Sequence, residues 1–175
     1  MSLLRINSLS IAFGIHKLLD EASLVIHRGE RIGLLGRNGE GKSTLLKIIS
    51  GELPYDEGEI QGLDALRVAK LDQAPSLDGP QTVYQLVASG LGEIGNDIAR
   101  YHELGTVGTD SAMVEMSEIQ GRIESAHAWP LIQNIEKTIS KLGLVADQRV
   151  ADLSGGWQRR VSLARALVIE PDLLL

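Results

Sequence analysis

Cysteine is absent from this chain, which excludes disulfides and thiolate metal sites and fits a reducing compartment. Aromatic residues make up only 3% of it, so a core has to be assembled from Leu, Ile, Val and Ala. Against that background the single phenylalanine, Phe13, stands out. Basic residues are outnumbered, 17 Lys and Arg against 23 Asp and Glu, for a formal net charge of −6. No domain-wide cationic footprint for nucleic acid exists, and direct DNA binding by this segment is not expected. No apolar run approaches the roughly 20 residues needed to span a bilayer. Arg5 and Asn7 interrupt the apolar residues of the N-terminus, unlike a signal-peptide core. His16, His27, His102 and His127 are scattered without ligand spacing. A cytoplasmic protein with no membrane association is the expectation.

At 175 residues and 43% hydrophobic content, the chain has enough material for one domain core, with room for an inserted subdomain. Residues 3–36 read as β-structure, with Leu9 to Phe13 and Leu24 to Ile26 as strand segments. Arg28-Gly29-Glu30 is a turn signal, and Arg31 to Leu35 reads as a strand buried on both faces, as in an α/β sheet. Lys42 to Ser50 carries a helical apolar stripe that ends at Gly51, Pro54 to Gly58 reads as a polar loop, and Glu59 to Ala69 returns as strands.

From about residue 80 to 145 the periodicity becomes helical. Thr82 to Leu91 is one helix; Ile94, Ile98 and Tyr101 continue the pattern; Ala112, Met116, Ile119 and Ile123 form the next stripe, capped by Asp110 or Ser111. Trp129-Pro130 opens a third helix through Leu131, Ile135, Ile139 and Leu142, closed by Gly143. A turn over residues 105–109 makes two of these helices a hairpin, either a layer over the core or a protruding arm; the two readings are compatible. The expected division is residues 1–79 as a strand-rich core that includes the glycine-rich loop, 80–150 as the helical subdomain, and 151–175 as a further helix and the start of a strand.

Two motifs carry chemistry. Gly36-Arg37-Asn38-Gly39-Glu40-Gly41-Lys42-Ser43 matches G-x-x-x-x-G-K-S, and a strand-like run precedes it while an amphipathic helix follows. Glycines let backbone N–H groups approach phosphate oxygens, and the helix dipole points at the same anion. Lys42 would reach the β- and γ-phosphates, and the Ser43 hydroxyl would ligate magnesium. The second motif, Leu153-Ser154-Gly155-Gly156-Trp157, starts a helix with Ser154 as N-cap and Val161, Ala164 and Leu167 along one face. An uncovered helix N-terminus is an anion site, yet one nucleotide already has its own phosphate loop. Phe13 is open between a core aromatic and a face for a purine base. Gln73, taken alone, is a polar loop residue.

These segments, in this order and spacing, resemble the Walker A, Q-loop and signature segments of the ATP-binding cassette superfamily. The resemblance covers nearly the whole chain and includes Arg159 to Leu167 after the signature. It implies an α/β fold of the P-loop NTPase type, an ABC ATPase core with an inserted α-helical subdomain. It places Phe13 at the adenine-stacking position and Gln73 at the Q-loop glutamine. The implied nucleotide-binding set is Phe13, Gly36, Arg37, Asn38, Gly39, Glu40, Gly41, Lys42, Ser43 and Thr44. Lys42 and Gln73 would be catalytic, Ser43 and Gln73 would hold Mg2+, and Ser154, Gly155 and Gly156 would contact, in trans, the ATP of a second cassette in the same parent chain.

Transporter cassettes mostly have glutamine where Trp157 stands. That residue and the helical insert resemble the ABC-F family of soluble twin-cassette ATPases that act on ribosomes. The resemblance implies that Leu173-Leu174-Leu175 would run on into a Walker B aspartate, a catalytic glutamate and a switch histidine. It therefore implies the N-terminal part of a larger ATPase, truncated before Walker B and weak or inactive in hydrolysis by itself. The alternatives are the ATP-binding subunit of a membrane transporter and a DNA-associated ABC ATPase.

Overall fold

Strand β1 (Ser2–Phe13) pairs antiparallel with β2 (His16–His27) on one edge and with β3 (Glu57–Gln61) on the other, giving the order β2-β1-β3. The computed structural model describes residues 2–14, 16–62, 66–71, 79–107 and 109–175. Alternation along β1 is broken once. Leu4 and Ile6 are buried at even positions, then Leu9 and Ile11 at odd ones, because Ser8 adopts φ 48° and inserts one extra residue. Its N–H donates to Ser23 Oγ at 3.0 Å, and across the hairpin the N–H of Glu21, itself at φ 48°, donates to Ser10 Oγ at 3.0 Å. These two of the four irregularities in the β1–β2 pairing are thus tied by serine hydroxyls, and a single face of the sheet stays apolar.

That face packs against α1 (Lys42–Ile49). Leu4, Ile6, Leu9, Ile11 and Ile26 form one buried cluster with Ile48 and Ile49. A two-residue parallel pair, β4 (Val68–Ala69) with β5 (Leu173–Leu174), adds Leu66, Leu173 and Leu175 to its edge. Asp172 sets the register of that pair: its N–H donates to the Arg67 carbonyl at 2.8 Å and its carboxylate accepts the Arg67 N–H at 3.2 Å. That backbone donor is the chief reason the Asp172 carboxyl titrates below its ordinary range. These elements belong to one compact unit, Met1–Lys70 with Asp172–Leu175.

The strand expected over Arg31 to Leu35 does not form. Among the described residues nothing pairs with it, Ile32 is 46% exposed and Leu35 is 97% exposed. An apolar run becomes a strand only when a neighbour satisfies its N–H and C=O groups, and among the described residues the parallel ladder is limited to β4 and β5. The loop expected at Pro54 to Gly58 is shorter as well, since β3 starts at Glu57.

The second unit, Leu71–Pro171, is helical. It contains α2 (Val83–Ala88), α3 (Glu93–Leu104), α4 (Asp110–Ser125), α5 (Trp129–Lys141) and α6 (Gly155–Leu167). Thr82 starts α2 with a capping box: its hydroxyl accepts the Gln85 N–H at 3.2 Å, and Gln85 Oε1 accepts the Thr82 N–H at 2.9 Å. The cap of α4 is Thr109, whose Oγ1 accepts the Ala112 N–H, in place of the expected Asp110 or Ser111. Threonine wins because its extended backbone precedes the first turn, whereas Asp110 already lies inside the helix. Pro130 sits in the first turn of α5, and Gly143 at φ 66° follows its C-cap, as the sequence indicated.

The apolar stripes converge on one core. Val83, Val87, Ile98, Ile123, Ile135, Val161, Ala164 and Val168 are all fully buried in it. Helices α3 and α4 form the hairpin and contribute Ile98 and Ile123, so along these stripes the hairpin is a layer of its unit. Across its outer face Arg122 bridges to both oxygens of Asp97 at 2.6 and 2.8 Å, and Arg100 to both oxygens of Glu115 at 2.7 and 2.9 Å. These bidentate bonds fix the antiparallel register of the two helices.

The same arginines hold the Asp97 and Glu115 carboxyls below their ordinary range. A carboxyl whose folded pKa is depressed stabilises the fold above its unfolded pKa, about 3.9 for Asp and 4.3 for Glu. That contribution is lost as pH falls through the lower folded values. Amide exchange in α3 and α4 is therefore expected to accelerate as pH drops below about 4 once corrected for intrinsic rates. Arg122→Met should flatten that acid dependence for the hairpin while leaving α2 and α6 unchanged.

Candidate functional site

The glycine-rich loop runs from Gly36 into α1 without a strand before it. Its position comes from β2 instead. Gly41 is buried at φ 81°, and a Cβ there would lie 3.0 Å from the Leu18 carbonyl oxygen and 3.1 Å from Leu19 Cδ2. The backbone at the helix start thus lies close against β2, in a left-handed conformation and a tight space that favour glycine. Leu19 pairs with Ile11 of β1, and the hairpin continues to Phe13 paired with His16. Phe13 therefore stands two residues, about 7 Å along the strand at roughly 3.4 Å per residue, beyond the level at which the loop touches β2. It lies at the turn end of the hairpin, past an irregularity in the pairing between Ile11 and Ala12, and is 56% exposed. The fold brings Phe13 and the loop to one end of this unit.

The N-terminus of α1 is left open for an anion. Gly41 offers no side-chain cap, and the first turn contains no acidic residue. The N–H groups of Lys42, Ser43 and Thr44 have no carbonyl four residues back inside the helix. The Lys42 ammonium donates to the carbonyls of Gly36 at 2.8 Å and Arg37 at 2.6 Å, spanning the mouth of the loop. The Ser43 hydroxyl is exposed beside it. One role was missed from the sequence. The Glu40 carboxylate accepts the Arg37 N–H at 2.7 Å, and the Glu40 N–H donates to the Arg37 carbonyl at 3.3 Å. This reciprocal pair closes the first half of the loop, and the sole sequence signal was a chain with an acceptor at the motif's fifth position.

A triphosphate fits these donors. Magnesium keeps most of its shell from water and phosphate oxygens and needs few protein ligands, so one hydroxyl at Ser43 suits it. Gln73, expected to share that ion, lies outside the described residues. Among the described residues no cluster of three His, Asp or Glu side chains forms a separate metal centre.

The signature segment lies in the helical unit. Ser154 occupies the N-cap position of α6 with extended backbone, but its hydroxyl makes no capping bond, unlike the expected cap. Gly155 and Gly156 have ordinary backbone angles, and a Cβ on either would meet nothing within 4 Å. Neither glycine is required by the fold. With no acidic residue in the first turn, the helix presents bare N–H groups to an approach from outside the unit. Trp157, 40% exposed, is held by the Arg160 guanidinium 4.5 Å over its ring. Beside it a cleft of about 290 Å³ is bounded by Val83, Leu144, Asp152, Leu153 and Ser154. Of the residues expected at the site, Phe13 and Gly36 to Thr44 share one unit, and Ser154 to Gly156 belong to the other.

Replacing Gly41 tests the seat of the loop. Gly41→Ala should cost about 1–2 kcal/mol for the left-handed backbone alone, with the Leu18 carbonyl adding a close contact. The expected readout is a lower midpoint of urea unfolding for this unit together with weakened nucleotide binding. Gly155→Ala, in open space, should leave the unfolding midpoint almost unchanged.

Known proteins match this arrangement. The family model described as "ABC transporter" matches residues 19–175, a span that starts just beyond Phe13. The chain is 37% identical to the ATP-binding protein Uup of Haemophilus influenzae, over 100% of this chain and 28% of that protein. It is 36% identical to the energy-dependent translational throttle protein EttA of Mycobacterium tuberculosis, over 94% of this chain and 30% of that protein. The chain thus spans under a third of the length of these relatives, which are ABC-F proteins. A crystal structure of a nucleotide-free ATP-binding cassette from an ABC transporter superposes with a TM-score of 0.70 at 24% identity, over 99% of this chain and 68% of that one. The likeness extends to the fold, an ABC ATPase cassette of the P-loop NTPase type. Among the described residues no helix is long and apolar enough to cross a membrane. The chain belongs to the ATP-binding cassette (ABC transporter) family, and its relatives include the ABC-F proteins Uup and EttA.

Proposed function

We propose that this chain binds ATP with Mg2+ at the Gly36 to Thr44 loop and forms part of a cytoplasmic ABC-F ATPase. The observation that carries the reading is the uncapped N-terminus of α1, pressed on β2 by Gly41, with Lys42 across the loop mouth. In this reading Lys42 exchanges its two carbonyl partners for phosphate oxygens. The N–H groups at the start of α1 hold the β-phosphate, and Phe13 provides the face for adenine. Ser43, with Gln73, would hold the magnesium ion, which supplies charge neutralisation between the phosphates. The residues of this chain bind and orient the triphosphate.

Hydrolysis in the longer protein would need a general base outside this sequence, so the chain by itself is proposed to turn ATP over slowly. The glycines at 155 and 156, which the fold does not need, suit a second cassette's ATP approaching the bare α6 terminus. A role in translation is supported by the name of the EttA relative, an energy-dependent translational throttle. The hairpin of α3 and α4 is the candidate arm toward a ribosomal partner, with Val107, Met113 and Val114 exposed around its tip. The net charge of −6 makes DNA the less suitable partner.

Binding of a fluorescent ATP analogue with Mg2+ tests the site. Lys42→Ala should weaken it at least tenfold, about 1.4 kcal/mol, and Ser43→Ala should reduce its dependence on magnesium. Equal affinity of Lys42→Ala and the unaltered chain would overturn the assignment. For the longer protein, ATP-dependent co-sedimentation with ribosomes is the expected outcome, and sedimentation indifferent to ATP argues against the translational role.

A further inference from the structure

We infer that Asp56 is a positioning residue for the base-stacking face of Phe13, an inference that rests on the proposed role of Phe13. The two edges of β1 end differently. On the β2 side, pairing continues through Ala12 with Lys17 to Phe13 with His16. On the other side the ladder with β3 stops at Ser10 paired with Glu57. The last turnwards residues of β1 thus lose a strand neighbour where Phe13 has to be held.

Asp56 replaces that neighbour. Its N–H donates to the Ser10 carbonyl at 3.0 Å, as a strand residue would. Its side chain then reaches along β1, and Oδ2 accepts the Ala12 N–H at 2.9 Å. A carboxylate oxygen stands in for the next carbonyl of the missing strand. Gly58 fixes the approach of this segment. At φ 105° it crosses the Ser8 bulge so closely that a Cβ would fall 2.6 Å from the Ser8 carbonyl oxygen and 2.7 Å from Leu9 Cα. Asp56 makes no ion pair among the described residues. Its charge is directed at one backbone donor, immediately before the aromatic residue.

The need for such a brace follows from exposure. Phe13 is more than half exposed, so packing does not orient its ring, and the backbone has to do so. A strand end paired on one edge only frays, and the stacking face frays with it. Base binding would suffer while phosphate binding, set by Gly41 and α1, would not.

The experiment compares the affinity of the chain for Mg2+–ATP and for Mg2+–tripolyphosphate, which has no base. Phe13→Ala should weaken ATP about tenfold, the order of one lost base–aromatic stack, and leave tripolyphosphate unchanged. Asp56→Ala should weaken ATP about threefold to tenfold, the range for one lost hydrogen bond, again without effect on tripolyphosphate. Asp56→Asn, whose amide oxygen can accept the same N–H, should restore ATP affinity. In the Phe13→Ala background Asp56→Ala should add nothing. Equal weakening of both ligands by Asp56→Ala, or an unchanged ATP affinity, overturns the inference while leaving the nucleotide site intact. A Phe13→Ala chain that binds ATP normally overturns the role of Phe13 itself, and the inference with it. Thermal unfolding of each variant separates a folding defect from a binding one.

Discussion

The contact of Gly41 with the Leu18 carbonyl of β2 is the constraint on which the candidate nucleotide site depends. It lets the start of α1 lie directly on the hairpin, so the helix N-terminus is aimed without a preceding strand to aim it. The remaining features of the site follow from that seat. Ile48 and Ile49 reach the sheet face because the helix begins where it does, and Phe13 falls beyond the loop because Leu19, at the point of contact, pairs with Ile11. A residue with a Cβ at position 41 would strain the left-handed backbone and force β2 or the helix start to give by a few tenths of an ångström.

Local polar bonds, more than burial, set the finer geometry. Glu40 closes the loop by reciprocal bonds to Arg37, Asp56 extends the ladder beside Ala12, and Asp172 aligns β5 with Arg67. In each case a carboxylate accepts a backbone N–H that regular structure leaves without a partner. This is an economical use of an acidic composition in a chain with few aromatics to pack. The helical unit uses its charges in another way, as arginine–carboxylate forks that set the register of α3 against α4. Its signature helix has a buried flank at Val161 and Ala164, continued by its C-cap Val168, while its N-terminus is left with two glycines that nothing inside the unit requires.

Much of this was legible in advance. The helical stripes at Ile98, Ile119, Ile123, Ile135 and Ile139 all point inward, because a period of 3.6 in a long segment has few other interpretations. The glycine-rich and signature motifs stood out because glycine, lysine and serine at those spacings are not what a core needs. Arg31 to Leu35 misled, since apolar content marks a segment that can pair but does not supply the neighbour. The Thr109 cap differed from the expectation by one or two residues, a matter of where helical backbone angles begin.

The sequence by itself determined the family and the helix stripes, because these depend on local residue chemistry and regular spacing. Only the tertiary structure decided that Phe13 stands exposed at the turn end of β1, that Gly41 rests on Leu18, and that the Glu40 and Asp56 carboxylates accept backbone N–H groups. The first two depend on strand register, and the β1–β2 register is shifted at four points, among them the bulges at Ser8 and Glu21. A bulge shifts every later side chain to the opposite face, and no periodicity in the residues announces where the extra one will be inserted.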